Sequence, residues 1–309
     1  MRLLVTAGLV WALAAKVDFG GVGEIISQAS LPLLAATIVV LAAANLVAAL
    51  RWHVILSAEA TSPGPRALLK LVFVGLFFSQ VLPTGVGGDA VRAWCCHKLG
   101  IGLGPAIRSI LLDRACGYLV LIALYAATLP RLLQVLPEQH QRVSVVVVLG
   151  IGLCGLLALL LLDRLPRAIL RLRGIALLAD LSRQSRRLFT QPRRGGIVLA
   201  SSVLTIGFTV LGFKLVADGV GTPLPLASWA MIVPPVILIQ LLPISLGGWG
   251  VREAVLVVAL ASFGVPAEAA LATSVLLGLC FIVISLPGGL IWFADGASGG
   301  RVLRGEHAR

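Results

Sequence analysis

Apolar runs of about 18 to 25 residues recur from one end of this sequence to the other, each as long as a helix must be to cross a hydrocarbon core about 30 Å thick. A soluble fold of 309 residues has no interior large enough to hide that surface. Of its residues 59% are hydrophobic and only 12% charged, and mean hydropathy is +1.03, far from the balance of a soluble domain. Nothing alternates apolar and polar residues with period two, which excludes a transmembrane β-barrel. The fold class that follows is an all-α polytopic membrane protein, with about six transmembrane helices plus two re-entrant helical hairpins in an inverted repeat.

Full spans are expected at about Leu31 to Leu50, Ala106 to Leu129, Val143 to Leu162, Ile197 to Val216 and Ala267 to Phe293. The segment Leu3 to Ala15 is either a short uncleaved first helix, the favoured reading, or a signal peptide cleaved after Ala12-Leu13-Ala14. Two further runs are too short to cross. Leu68 to Leu82 ends in Pro83-Thr84-Gly85-Val86-Gly87-Gly88, and Trp229 to Leu242 ends in Pro243-Ile244-Ser245-Leu246-Gly247-Gly248. At about 1.5 Å per residue, such a run enters the bilayer without leaving it. The breakers at its end then turn the chain back.

The two runs carry the same residues. Gln80 to Arg92 laid over Gln240 to Arg252 repeats Gln, Leu, Pro, Gly, Gly, Val and Arg in place, seven of thirteen positions, where composition alone gives about one or two. Pro65 and Ala67 meet Pro225 and Ala227, and after one inserted residue Pro105, Ala106 and Gly117 meet Pro266, Ala267 and Gly278. The chain is thus a single membrane domain over 1–309, with a first repeat at 31–129, a basic loop at 163–195 and a second repeat at 196–293.

The formal charge of +12 is concentrated rather than spread, with nine Arg between Arg164 and Arg194. Such a balance elsewhere points to nucleic acid. Here the basic stretch separates two spans, so the counter-charge expected is an anionic lipid surface and the loop belongs in the cytoplasm. Leu165, Ile169, Leu172, Ile175 and Leu178 fall at helical spacing between its Arg residues, which fits a helix lying on that surface, with a solvated linker as the alternative. Counting crossings from this loop opens the first hairpin to the cytoplasm and the second to the outside, and puts both termini in the cytoplasm. Arg131 and Arg142 then fall outside, against the same rule. Five Cys without C-x-x-C spacing and four scattered His call for no metal, disulfide or cofactor.

Charges at membrane depth cost about 2.5 kcal/mol or more each on insertion scales, so those present need partners or work. The candidate substrate-binding set is Arg92, Arg252, Asp89, Asp113, Arg114, Glu253, Gln80, Gln240, Gly87, Gly88, Gly247 and Gly248. A helix starting after each Gly-Gly aims free N–H groups into the membrane, and an Arg in about its first turn adds charge, a combination that suits a phosphate oxygen. The plainer alternatives are that Asp89 and Arg92 neutralise each other, that Asp113 and Arg114 pair across the repeats, and that Asn45, Arg51, Gln80 and Gln240 serve as helix glue. Lys214 and Asp218 are expected as a local pair.

These motifs resemble a known family. Asn45 with Arg51-Trp52, then Leu82-Pro83-Thr84-Gly85-Val86-Gly87-Gly88-Asp89-Ala90-Val91-Arg92, Asp113-Arg114, and Pro243-Ile244-Ser245-Leu246-Gly247-Gly248-Trp249-Gly250-Val251-Arg252-Glu253 are similar to the membrane region of lysylphosphatidylglycerol synthases and their free-standing flippase-like (UPF0104) relatives. The resemblance implies a multi-pass protein of the bacterial inner membrane that moves a phosphate-containing phospholipid or polyprenyl-linked lipid between leaflets. The partners it implies are that lipid and a further copy of the chain or a biosynthetic enzyme. Those synthases also carry a soluble aminoacyl transferase domain, for which no segment is read here, so synthase activity is not expected. The competing classes are a membrane enzyme acting on lipid phosphates, with Asp89, Asp113 and Glu253 as its only candidate acids, and a non-transporting subunit of a lipid or glycan pathway.

Overall fold

The computed structural model describes residues 19–58, 63–82, 86–161, 173–240 and 250–297. Among the described residues it contains eleven helices and no strand. They are α1 (Phe19–Ser27), α2 (Leu31–Leu56), α3 (Pro65–Val81), α4 (Gly87–Lys98), α5 (Leu103–Val135), α6 (Gln139–Leu161), α7 (Arg173–Thr190), α8 (Pro192–Gly219), α9 (Leu226–Gln240), α10 (Val251–Ala261) and α11 (Ala267–Ala297). Prolines open α2, α3 and α8 within their first two positions, where the missing N–H costs no intrahelical bond.

Five helices, α2, α5, α6, α8 and α11, are long and apolar enough to cross a membrane. They are the five full spans expected from the sequence, and the sixth expected crossing, Leu3 to Ala15, lies outside the described residues. Large side chains such as Leu31, Ile151, Val203, Leu290 and Phe293 stand exposed on them, which is costly in water and costless against lipid. On α6 the described side chains bury only Leu149, so this span lies at the edge of the bundle.

The order long, short, short, long occurs twice, as α2-α3-α4-α5 and as α8-α9-α10-α11, and follows the sequence repeat. The two copies join through α2, which packs most extensively on α8. Around Leu41, Phe213, Trp229, Leu256 and Leu277, α2 and the second copy share the largest core. A separate core around Trp52, Leu68, Cys95, Cys96 and Ile110 belongs to the first copy.

In the first copy α3 and α4 form the expected hairpin, running antiparallel at glycine-limited distance. A Cβ on Gly88 would lie 2.1 Å from both the carbonyl oxygen of Gly75 and the hydroxyl of Ser79, and one on Gly75 would lie 2.7 Å from the Arg92 side chain. No side chain larger than hydrogen fits at either place. The same device seats α11 on α3, where a Cβ on Gly288 would fall 1.9 Å from the Phe73 carbonyl oxygen. In the second copy α9 packs on α10, and the intervening turn, with Gly247 and Gly248, lies outside the described residues.

Helix α7 lies within the basic loop. Among its described side chains Leu181, Ser182, Ser185 and Leu188 are buried, and Leu181 and Leu188 pack with Ile55, Leu112 and Val198. Of the apolar positions expected on a surface-lying helix, Leu165, Ile169 and Leu172 lie outside the described residues, as do the side chains of Ile175 and Leu178.

Candidate functional site

Three helices of the first copy bring five charged side chains into one chain of ion pairs. From α2, Arg51 Nε donates to Asp113 Oδ1 of α5 at 2.8 Å. The other oxygen, Asp113 Oδ2, lies 3.9 Å from Arg92 Nη2 of α4. Arg92 Nη1 donates to Asp89 Oδ1 at 3.2 Å, one turn back on its own helix. Asp89 Oδ2 then accepts from Arg114 Nε of α5 at 2.8 Å, and Arg114 Nη1 reaches the Tyr118 hydroxyl at 3.4 Å. The adjacent residues Asp113 and Arg114 point to different sides of α5 and are reunited through α4.

Packing holds this array in place. The Arg92 guanidinium lies 4.0 Å from the centre of the Trp52 ring, a cation–π contact strengthened by the burial of both residues. Trp52 Nε1 donates to Ser109 Oγ at 3.1 Å, which fixes the ring. Arg51 Nη1 donates to Ser202 Oγ of α8 at 3.1 Å, the link from the array to the second copy. Arg51, Arg92 and Asp113 are all buried.

The array lines a cavity of about 230 Å³, to which Asn45, Ser79, Tyr118 and Thr205 also contribute. Three guanidinium groups against two carboxylates leave its wall with a net charge of +1. Arg92 Nε is buried without a hydrogen-bond partner, so one strong donor in the wall is unsatisfied. Tyr118 also lines a neighbouring apolar groove of about 270 Å³ formed with Ile122, Val148, Gly152 and Leu238 between α5, α6 and α9.

Arg92 is the sixth residue of α4, in its second turn, and Asp89 occupies the first turn. Gly87 and Gly88 are buried at the α4 start. Gln80 is exposed on α3, and Gln240 Nε2 donates to the Val236 carbonyl of its own helix at 3.2 Å; neither lines the cavity.

In the second copy, Arg252 Nη2 donates to Glu253 Oε1 at 2.8 Å and its Nε to Ser274 Oγ at 3.0 Å, while Ser274 in turn donates to Glu253 at 2.9 Å. Glu253 Oε2 accepts from the Gly250 N–H at 2.5 Å. The anion-favouring start of α10 therefore already holds a carboxylate of the protein itself. Arg252 and Glu253 are buried in this knot, apart from the cavity around Arg92.

Sequence reasoning passed over Ser202, Ser274, Tyr118 and the stacking role of Trp52. The first two were visible as hydroxyl pairs, Ser201-Ser202 and Thr273-Ser274, inside otherwise apolar spans. Lys214 and Asp218 form the expected local pair at 2.5 Å.

Helices of spanning length around a buried, net-positive ion-pair array define a polytopic α-helical membrane protein with a polar internal cavity. The chain belongs to the family described as the lysylphosphatidylglycerol synthase TM region, whose model matches residues 1–288. It is also similar to a "UPF0104 membrane protein" of Methanothermobacter thermautotrophicus, with 25% identity over 313 residues, covering 89% of this chain and 86% of that protein. Family and fold together make it a multi-pass membrane protein of a type connected with membrane lipid.

Proposed function

We propose that the protein moves a phosphate-bearing lipid, a phospholipid or a polyprenyl-linked phosphate, between the leaflets of a bacterial inner membrane, without changing it chemically. The observation that carries this is the cavity wall. Three guanidiniums exceed two carboxylates, and one buried Arg92 donor is unsatisfied, so the cavity favours an oxyanion. Tyr118 joins it to the apolar groove, which lets a headgroup sit among the Arg residues while its chains stay in hydrocarbon.

The two hairpin copies are read as an inverted repeat, an arrangement that brings a hairpin from each side of the membrane toward the midplane. Both cavity carboxylates are engaged by guanidiniums, an arrangement suited to holding charge rather than to passing a proton to a substrate.

Purified protein in liposomes with headgroup-labelled phosphatidylglycerol tests this. Movement of intact label across the bilayer, lost in Arg92→Ala, is the expected result. Chemically altered lipid would instead favour an enzyme, and neither movement nor change a non-transporting subunit.

A further inference from the structure

The charges that line the cavity are Arg51, Arg92, Arg114, Asp89 and Asp113, and every carboxylate oxygen among them already faces a guanidinium. Asp113 Oδ1 lies 2.8 Å from Arg51 Nε, and its Oδ2 lies 3.9 Å from Arg92 Nη2. Asp89 Oδ1 lies 3.2 Å from Arg92 Nη1, and its Oδ2 lies 2.8 Å from Arg114 Nε. A further cation approaching any of these oxygens would come up against an Arg as well. The wall thus holds no counter-charge for an ammonium group.

The uncharged groups on the wall offer none either. Ser79 Oγ donates to the Gly75 carbonyl at 2.9 Å, and Thr205 Oγ1 donates to the Ser201 carbonyl at 2.8 Å. Each hydroxyl has a single proton, so what remains at both positions is a neutral acceptor. That is enough for a hydroxyl and too little for a desolvated ammonium.

Among the three guanidiniums, Arg114 is the accessible one. Its side chain is 39% exposed, against 7% for Arg51 and 11% for Arg92. Its hydrogen bonds to the described residues run from Nε to Asp89 and from Nη1 to the Tyr118 hydroxyl, which leaves Nη2 for a ligand. Tyr118 lies where the polar cavity meets the apolar groove. A phosphate whose chains lie in that groove therefore meets Arg114 before the buried Arg51–Asp113 pair.

We infer, resting on the transport reading, that the cavity selects net-anionic phosphate lipids whose headgroup carries no ammonium, phosphatidylglycerol among them, and rejects zwitterionic and cationic ones, with Arg114 as the specificity-determining contact. An ammonium drawn in behind its phosphate would stand against a wall that already has one guanidinium more than it has carboxylates.

The test is binding of short-chain phosphatidylglycerol, phosphatidylethanolamine and lysylphosphatidylglycerol to the full-length protein, read by native mass spectrometry and by shifts in thermal unfolding. The lipids carry no dye, so their amines keep their charge. Phosphatidylglycerol should bind about tenfold or more tightly than either amine-bearing lipid, because like charges brought together out of water are strongly disfavoured. Arg114→Gln takes the wall to net zero and frees Asp89 Oδ2 for an ammonium. In that variant phosphatidylglycerol should bind more weakly and lysylphosphatidylglycerol more tightly than in the unaltered protein. Arg114→Lys, which keeps the charge, should keep the preference. Equal binding of the three lipids by the unaltered protein would overturn the selectivity while leaving transport in place. Uniform weakening of all three in Arg114→Gln would overturn the role of Arg114. Selective binding without movement of labelled phosphatidylglycerol in liposomes would instead remove transport and leave the headgroup preference standing.

Discussion

The Arg92 guanidinium rests on the face of Trp52, 4.0 Å from the ring centre, while its Nε is buried without a partner. Trp52 holds the charged plane by one face, and the terminal nitrogens turn to Asp89 and Asp113. The arrangement fixes a cation deep in an apolar bundle yet leaves part of its donor capacity unspent. A residue placed only to neutralise Asp89 would need neither the ring nor the spare donor.

Arg92→Lys should therefore lose most of the transport activity, and Arg92→Ala all of it. An ammonium keeps the charge but neither stacks as a plane nor spans two carboxylates. Trp52→Leu should show an intermediate loss, since a cation–π contact away from water contributes about 2 kcal/mol. Headgroup-labelled lipid in liposomes checks this at matched folded yield, and full recovery in Arg92→Ala combined with Asp89→Asn would reduce Arg92 to a counter-charge.

Arg51 and Asp113 make the closest buried contact in the array, and breaking it from one side strands a charge. Asp113→Asn alone should destabilise the protein by about 3–5 kcal/mol, and Arg51→Gln with Asp113→Asn by clearly less, because the double change leaves no unpaired ion. A double-mutant cycle on unfolding in detergent measures the coupling; strict additivity would mean the pair contributes nothing as a pair.

How far the sequence foretold this site depends on which physics each residue obeys. Span positions follow from hydrophobic length alone, and all five long helices lie where apolar runs place them. Asp89, Arg92, Asp113 and Arg114 stood out because charge at that depth is rare. Their pairing was not legible: Arg51–Asp113 joins residues 62 apart, and Arg114–Asp89 joins residues 25 apart, contacts created only when α4 lies between α2 and α5. Position within a helix also misled, since counting from Gly-Gly put Arg92 in about the first turn whereas α4 begins at Gly87 and places it in the second. The resemblance of the two Gly-Gly-x-x-Val-Arg segments likewise hid a difference one residue further on, where Glu253 folds back onto the start of α10 and occupies Arg252.

Gly88→Ala should reduce folded yield and destabilise the first hairpin by about 1–3 kcal/mol, the usual cost of overpacking. Its new methyl would meet the Gly75 carbonyl, a backbone group that cannot rotate away. Gly64→Ala, at a position with open space, is the control, and equal thermal stability of the two variants would deny the close crossing.

Arg252→Gln should lower stability more than Arg92→Gln does, because it strips partners from both Glu253 and Ser274 in a knot that also caps α10. Glu253→Gln in the same chain should recover part of the loss, since the neutral amide no longer strands a carboxylate. Thermal unfolding of the single and double variants decides it; a drop in transport at unchanged stability would instead make Arg252 a substrate contact.

The two hairpins should open to opposite sides of the membrane. By the positive-inside rule the nine Arg between Arg164 and Arg194 should keep that loop, which contains α7, in the cytoplasm, and α8 should then carry the chain outward. Counting back through α6 and α5 brings the α3–α4 hairpin in from the cytoplasm, and counting forward through α8 brings α9 and α10 in from outside. Single cysteines at Thr84 and Ile244, in a background where the native Cys residues are replaced, should then react with a membrane-impermeant maleimide from opposite faces. On this reading both positions are at membrane depth, so labelling there also requires a wet path. Slow labelling from one side only is therefore the expected form of the result at each position. Equal reaction of both from the same face would mean that an even number of crossings separates them, and the repeat would then be parallel rather than inverted.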